Sequence, residues 1–325
     1  MQTVGTANER TAHRASFASQ FADYGAVYGA GAALAVLILL NLIFTPNFAQ
    51  TSTPNLILLQ VAPTILVAVG MTLVIATGGI DLSVGAVMAI AGAVAATTLD
   101  YGVGTAILAG LAVATLAGFF NGWLISVFRI QPIIVTLALF ISGRGVAQVI
   151  SNGELIPFSN PTFSYLGRGA VLGIPVQVLL MILVVMGGIF ILRATVFGRY
   201  IVATGGNEAA ARLAGVNTTR TKILVYVIAG FLAGLAGLIE TARAGASDAA
   251  KVGLQMELDA IAAVVVGGTP LTGGRATMIG TIIGALIMAV ITTGINMNNL
   301  PYAWSLVLKA AIILIAVYLQ RPKRV

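Results

Sequence analysis

The sequence predicts an all-α, polytopic membrane protein of about ten transmembrane helices with both termini cytoplasmic, and three observations carry that reading. Of its 325 residues 58% are hydrophobic and only 8% charged, with a mean hydropathy of +1.01. A soluble domain of that size would lack the polar side chains needed to cover its surface. Its 38 glycines and sparse aromatics (7%) suit closely packed helices, in which small residues let backbones approach. A transmembrane barrel would instead alternate apolar and polar residues between aromatic girdles. The third observation is the distribution of Lys and Arg, taken up after the spans.

About 20 apolar residues cross roughly 30 Å of hydrocarbon. Such runs fall at 24–45, 55–76, 82–99, 103–128, 131–150, 172–192, 223–241, 256–268, 276–294 and 302–320. The first follows a polar segment carrying Arg10 and Arg14, and it is too long, with no small-residue exit, for a cleaved secretory signal. Residues 1–23 are therefore expected as a cytoplasmic tail. The second and third flank a glycine-rich break, Thr77–Gly85, whose one charge is Asp81; residues 24–80 and 82–99 are otherwise uncharged. The fifth carries Arg144 after 14 uncharged residues. The sixth and seventh enclose the longest connection, 193–222. The eighth is short and glycine-bounded, and the tenth carries Lys309.

Strict alternation from a cytoplasmic N-terminus puts Arg10, Arg14, Arg129, Arg193, Arg199, Arg212, Arg220, Lys222, Arg275, Arg321, Lys323 and Arg324 inside. Only Arg168, Arg243 and Lys251 fall outside. That asymmetry is the positive-inside pattern. It accounts for the net charge of +7 better than nucleic-acid binding, which scattered loop charges do not support. Residues 24–320 form one permease-like domain with a cytoplasmic segment at 193–222, and 321–325 form a short cytoplasmic tail.

Several chemistries are excluded. There is no cysteine and one histidine, His13, so disulfides, thiolate chemistry and Cys/His metal sites are ruled out. None of Lys222, Lys251, Lys309 and Lys323 follows a glycine, so no phosphate-binding Walker A loop exists. No H-E-x-x-H or G-x-S-x-G motif occurs, and no close pair of intramembrane carboxylates offers a proton relay. No catalytic residue, metal or cofactor is implied.

The 193–222 connection contains a deliberately capped helix. Asn207 is a good N-cap, Glu208 sits where the helix dipole favours a negative charge, Ala209 and Ala210 begin a helix-forming run that includes Arg212, and Gly215 is placed to end it. So short a helix does not persist alone in water, so it docks against its own bundle or a partner. An internal echo also exists. Val74–Gly79 and Val264–Thr269 both read as an apolar run, a Gly-Gly break and a following small-residue helix, a pairing of the kind transporters place around a path.

The block Gly70–Gly85 resembles the hallmark of ribose-type sugar ABC importer permeases of bacterial inner membranes. The likeness continues through Ile130-Gln131-Pro132, Thr136, Gly143-Arg144-Gly145, the Asn207–Gly215 helix, Glu257–Ala262, Gly267-Gly268-Thr269 and Gly273-Gly274-Arg275. Ala86–Gly92 and Gly143–Gln148 follow the galactofuranose branch. The resemblance implies a non-catalytic permease importing a monosaccharide of the galactofuranose or ribose class. Its implied partners are a second permease chain, identical or paralogous, two cytoplasmic ATPase subunits and a periplasmic sugar-binding protein, all set in membrane lipid with no nucleic acid. Asn207–Gly215 is then similar to an ATPase-coupling helix. The alternative is a stand-alone secondary transporter or channel for a small polar solute.

Intramembrane polar residues complete the expectations. Arg144 and Gln148, one helical turn apart, either border a translocation path or pair at a packing site. Lys309 either contributes to gating or snorkels to an interface. Glu257 and Asp259 meet positive groups or cap a helix, and Asn121 and Gln131 are structural hydrogen-bond partners. Gly78, Gly79, Asp81 and Ser83 are expected as a structural hinge at the cytoplasmic side, with Asp81 or Ser83 capping the third helix.

Overall fold

The structure is a computed structural model that describes residue 25 and residues 27–319, so the two predicted tails lie outside the described residues. Each of the ten expected spans contains a helix. They are α1 (Val27–Phe44), α2 (Thr53–Ala76), α3 (Val84–Thr98), α4 (Val103–Val127), α5 (Pro132–Ile150), α7 (Val176–Ala194), α10 (Thr218–Ala244), α11 (Met256–Val266), α12 (Met278–Met297) and α13 (Ala303–Leu319). Three more helices, α6 (Pro161–Arg168), α8 (Val196–Gly206) and α9 (Glu208–Leu213), lie between them. Among the described residues, eight helices are long and apolar enough to cross a bilayer. At 11 residues α11 covers only about 16 Å, roughly half the hydrocarbon thickness.

Four helices, α2, α3, α10 and α12, form the inside of the bundle, while α1, α4, α5 and α7 turn most of their surface outward. The sequence explains the division. From Val61 to Ala76 α2 buries nearly every side chain, as expected of a helix that is apolar all round. On α4 the buried positions include a stripe of small residues one turn apart, Ala106, Gly110, Ala114, Gly118 and Gly122. That stripe packs on α10 so closely that a Cβ added at Gly118 would stand 3.0 Å from the Gly230 Cα. A methyl group at that crossing would separate the two backbones.

The internal echo is realised in backbone geometry. At the end of α2, Gly78 has φ +82°, its N–H donates to Ile75 O, and Gly79 N–H donates to Val74 O. At the end of α11, Gly268 has φ +93°, its N–H donates to Val265 O, and Thr269 N–H donates to Val264 O. Both are Schellman caps, in which a left-handed glycine satisfies the last free carbonyls. Of the helices that follow, α12 lies beside α2, joined to it by a buried Thr72–Thr281 hydroxyl pair at 2.8 Å, while α3 packs on α4, α5 and α10.

The α2–α3 break packs against α5 and α10, with Gly78 at its exposed edge. Gly79 faces the Tyr226 hydroxyl, and Ile80 O accepts from Thr136 Oγ1 at 3.3 Å. Those partners sit about 12 Å and 6 Å along α10 and α5 from their first residues. Among interior helices the break is shielded from lipid, so Asp81 is buried without facing hydrocarbon.

At the opposite end, α6 and two small antiparallel ribbons gather, one of them joining the α5–α7 connection to the segment after α10. Strand β1 (Ile156–Pro157) pairs with β4 (Ala246–Ser247), and β2 (Ala170–Val171) with β3 (Ile174–Pro175). Arg168 Nε donates to Arg243 O there. Arg129, Arg212 and Lys222 gather at the other end, the separation that alternation predicts.

Candidate functional site

The capped helix forms where the sequence places it. Asn207 has extended φ/ψ (−158°, 100°), and its Oδ1 accepts from Ala210 N–H at 3.0 Å. Gly215, at φ +86°, closes the helix with a third Schellman cap, its N–H donating to Arg212 O and Val216 N–H to Ala211 O. With both ends satisfied, six residues are held as a unit. A polar network then ties that unit to α10. Glu208 accepts from Arg212 Nη2 and from Lys222 Nζ, each at 2.6 Å, and Thr218 Oγ1 accepts from Arg212 Nε at 2.8 Å while donating to Glu208. Partial burial pushes the Glu208 carboxyl up, but the Lys222 and Arg212 hydrogen bonds outweigh it and hold the group below the ordinary glutamate range.

The helix seats itself through Ala211, which is buried, and turns Asn207, Ala209, Ala210 and Arg212 outward. Leu213 is 91% exposed. Composition alone did not single out this leucine. Its signal is position, one turn after Ala209 on a helix already expected to dock.

Immediately before α9 the chain crosses both helix breaks. A Cβ at Gly205 would overlap Ala76 O and stand 2.6 Å from Gly274 N, and Ala76 O accepts the Gly274 N–H at 3.0 Å. A Cβ at Gly273 would stand 2.9 Å from the Gly78 Cα. Three backbones therefore meet at one point: the end of α2, the end of α8, and the loop leading into α12. Helix α9 begins at Glu208, just after Gly205 and directly beyond that meeting point.

At the α2–α3 break, Asp81 Oδ1 accepts from Ser83 N–H at 2.9 Å and from Ser83 Oγ at 2.6 Å, and Ser83 Oγ accepts from Asn121 Nδ2 at 2.9 Å. This corrects the expected helix cap. Ser83 occupies the N-cap, but neither side chain accepts from the first-turn amides of α3. Asp81 instead closes a local turn and anchors it to α4. Asn121 is the structural partner expected of it, whereas Gln131 is exposed and its side chain caps nothing.

Arg144 reaches across the bundle, Nη1 donating to Ala249 O at 2.9 Å and Val252 O at 2.6 Å. It thereby fixes the irregular segment leading into α11. Gln148 is exposed on the outward side of α5. Lys309 neither snorkels nor stands alone: its ammonium meets both oxygens of Asp259 at 2.8 and 2.9 Å, pinning α13 to α11. The sequence contained both partners but gave no signal joining positions 50 apart.

A family model described as the permease component of branched-chain amino acid transport systems matches residues 54–317. The chain belongs to this permease family. Among its relatives, the galactofuranose transporter permease protein YtfT of Escherichia coli (strain K12) is 42% identical over 301 residues, covering 90% of this chain and 88% of its own. The ribose import permease protein RbsC of the same organism is 41% identical over 298 residues, covering 90% and 92%. The L-arabinose ABC transporter permease protein AraH of Azospirillum brasilense is 36% identical over 283 residues, covering 86% and 83%. No solved structure matches this permease. It is a multi-pass permease of a bacterial inner membrane, all-α, with transport as its business.

Proposed function

We propose that this permease is the membrane subunit of an ATP-driven importer that carries a monosaccharide of the galactofuranose or ribose class from periplasm to cytoplasm. Two permease chains form the path, two cytoplasmic ATPase subunits drive it, and a periplasmic sugar-binding protein delivers the substrate. The relatives at 36–42% identity are named for sugars, which favours a sugar over an amino acid. The observation that carries the coupling role is the capped helix α9. It is rigid at both ends, ion-paired to α10, and presents Ala209, Ala210 and an almost fully exposed Leu213 to the cytoplasm.

Coupling is mechanical in this reading. Closure of the ATPase dimer displaces α9, and α9 moves as one body because its caps and its ties through Glu208 leave it no internal freedom. The crossing at Gly205, Gly274 and Ala76 passes that movement to the two breaks. Gly78, Gly79, Asp81 and Ser83 form the hinge at the first break, and the bundle switches between two packings. Gln148, exposed on the outward side of α5, borders the translocation path where the two permease chains face each other, with Arg144 behind it fixing the wall. The permease itself performs no covalent chemistry.

Replacing Glu208 with Lys and Arg212 with Glu together tests the coupling role. ATP-dependent uptake should disappear while membrane insertion persists. Undiminished uptake removes the assignment of α9.

A further inference from the structure

Beside α9 the described surface holds an open groove of about 470 Å³ that the coupling reading does not use. One wall is α9 and the start of α10, through Glu208, Ala209, Arg212 and Lys222. The other is the end of α4 and the α4–α5 turn, where Ile125, Ser126 and the run Arg129–Pro132 line it. Resting on the proposal that α9 receives an ATPase subunit, we infer that the α4–α5 turn is a second half of the same dock, and that an acidic side chain of the ATPase enters the groove against Arg129.

Three observations carry this. First, Arg129 is exposed and, among the described residues, has no hydrogen-bond or ion-pair partner. The two other cations in the groove are engaged by Glu208, so Arg129 is the cation of the groove that no carboxylate of the described residues meets. An anionic group is therefore the complement the groove lacks, and carboxylate fits a guanidinium in a planar, bidentate manner.

Second, Arg129 occupies the left-handed region at φ +54°, directly after α4 ends. Glycine or asparagine fills that position at lower cost, so the chain holds an arginine where folding alone favours another residue. Local strain of this kind collects at functional positions.

Third, Ser126 is buried, lines the groove, and its Oγ has no hydrogen-bond partner. A buried hydroxyl without a partner is costly, and an entering polar group would supply one. The apolar flanks, Ile125, Ile130 and Pro132, suit the aliphatic stem of an aspartate or glutamate whose head reaches Arg129.

The consequence for mechanism is a two-point grip. A single short helix can rock about its one contact, whereas contacts on both α9 and the α4–α5 turn would transmit rotation as well as translation. The turn also begins α5, whose Thr136 touches the break at Ile80. ATPase motion would then reach the α2–α3 break by a second route.

The absence of cysteine makes the test clean, since an introduced thiol is the only one in the chain. Single variants Arg129→Cys, Ala209→Cys and Leu172→Cys are reacted with a membrane-impermeant maleimide in inside-out vesicles and detergent, with and without the assembled ATPase subunits. Leu172 is 98% exposed at the opposite end and serves as the control. Assembly should slow labelling of the Arg129→Cys and Ala209→Cys thiols at least tenfold and leave the control unchanged. Protection at 209 without protection at 129 overturns the second contact and leaves the coupling helix standing. Protection at neither position overturns the coupling reading itself. Arg129→Gly separates function from folding: thermal stability should hold or rise as strain is relieved, while ATP-driven uptake falls about tenfold. Uptake equal to the parent's would show that the charge contacts nothing.

Discussion

Substituting Gly205 by Ala is the sharpest local probe of the point where three backbones meet. The added methyl would overlap the Ala76 carbonyl oxygen and lie 2.6 Å from Gly274 N, with main chain on both sides and no flexible side chain to yield. Overpacking of this kind costs about 1–3 kcal/mol. Moving the Ala76 carbonyl also breaks its 3.0 Å bond from Gly274 N–H, and losing a buried bond adds about 1–3 kcal/mol. The expected loss is therefore about 2–6 kcal/mol. Gly206→Ala is the internal control, one residue away. Its added methyl meets only the Gly274 Cα at 3.9 Å, an ordinary contact, so its effect should stay within about 0.5 kcal/mol. Reversible denaturation of the purified permease in mixed micelles measures both. Equal stabilities for the two variants would refute the claim that α8 presses on the breaks through Gly205.

Removing the Lys309 ammonium with Lys309→Met should cost about 2–4 kcal/mol, because it strands a partly buried Asp259, and adding Asp259→Leu should recover most of it. A double variant no more stable than the single one would contradict the pairing. Asp81→Ala removes the acceptor of the Ser83 amide and hydroxyl and should cost about 2–3 kcal/mol without changing sugar preference; intact stability with altered preference would move Asp81 from the hinge to the substrate. The pH dependence of α9 follows from Glu208. Its folded carboxyl titrates below its unfolded one, so its contribution is complete above the ordinary glutamate range and is lost as pH falls through the lowered value. Hydrogen exchange at Ala210 and Ala211, corrected for intrinsic rates, should stay protected from neutrality down to that range; protection lost near neutrality would contradict the network.

What the sequence made legible was local or periodic. Ten apolar runs became ten helices because length and hydropathy are carried by contiguous residues, and Asn207 and Gly215 marked the ends of α9 because caps act on neighbouring amides. The matching ends of α2 and α11 were readable for the same reason: a Schellman cap needs one glycine at one position. Helix α8 was missed because it sits in a charged connection, although Thr195 caps it by accepting from Gly198 N–H. Long-range partners had no local signature. Arg144 finds its carbonyls 105 and 108 residues away, and Lys309 its carboxylate 50 away.

Sugar accumulation in proteoliposomes containing the permease, its ATPase subunits and its binding protein tests the central claim most directly, with a panel of pentoses and hexoses that includes galactofuranose. The account predicts uphill accumulation of at least one monosaccharide that requires ATP and the binding protein and fails in the Glu208→Lys, Arg212→Glu variant. Accumulation that proceeds without ATP, or none with any sugar of the panel, would contradict it.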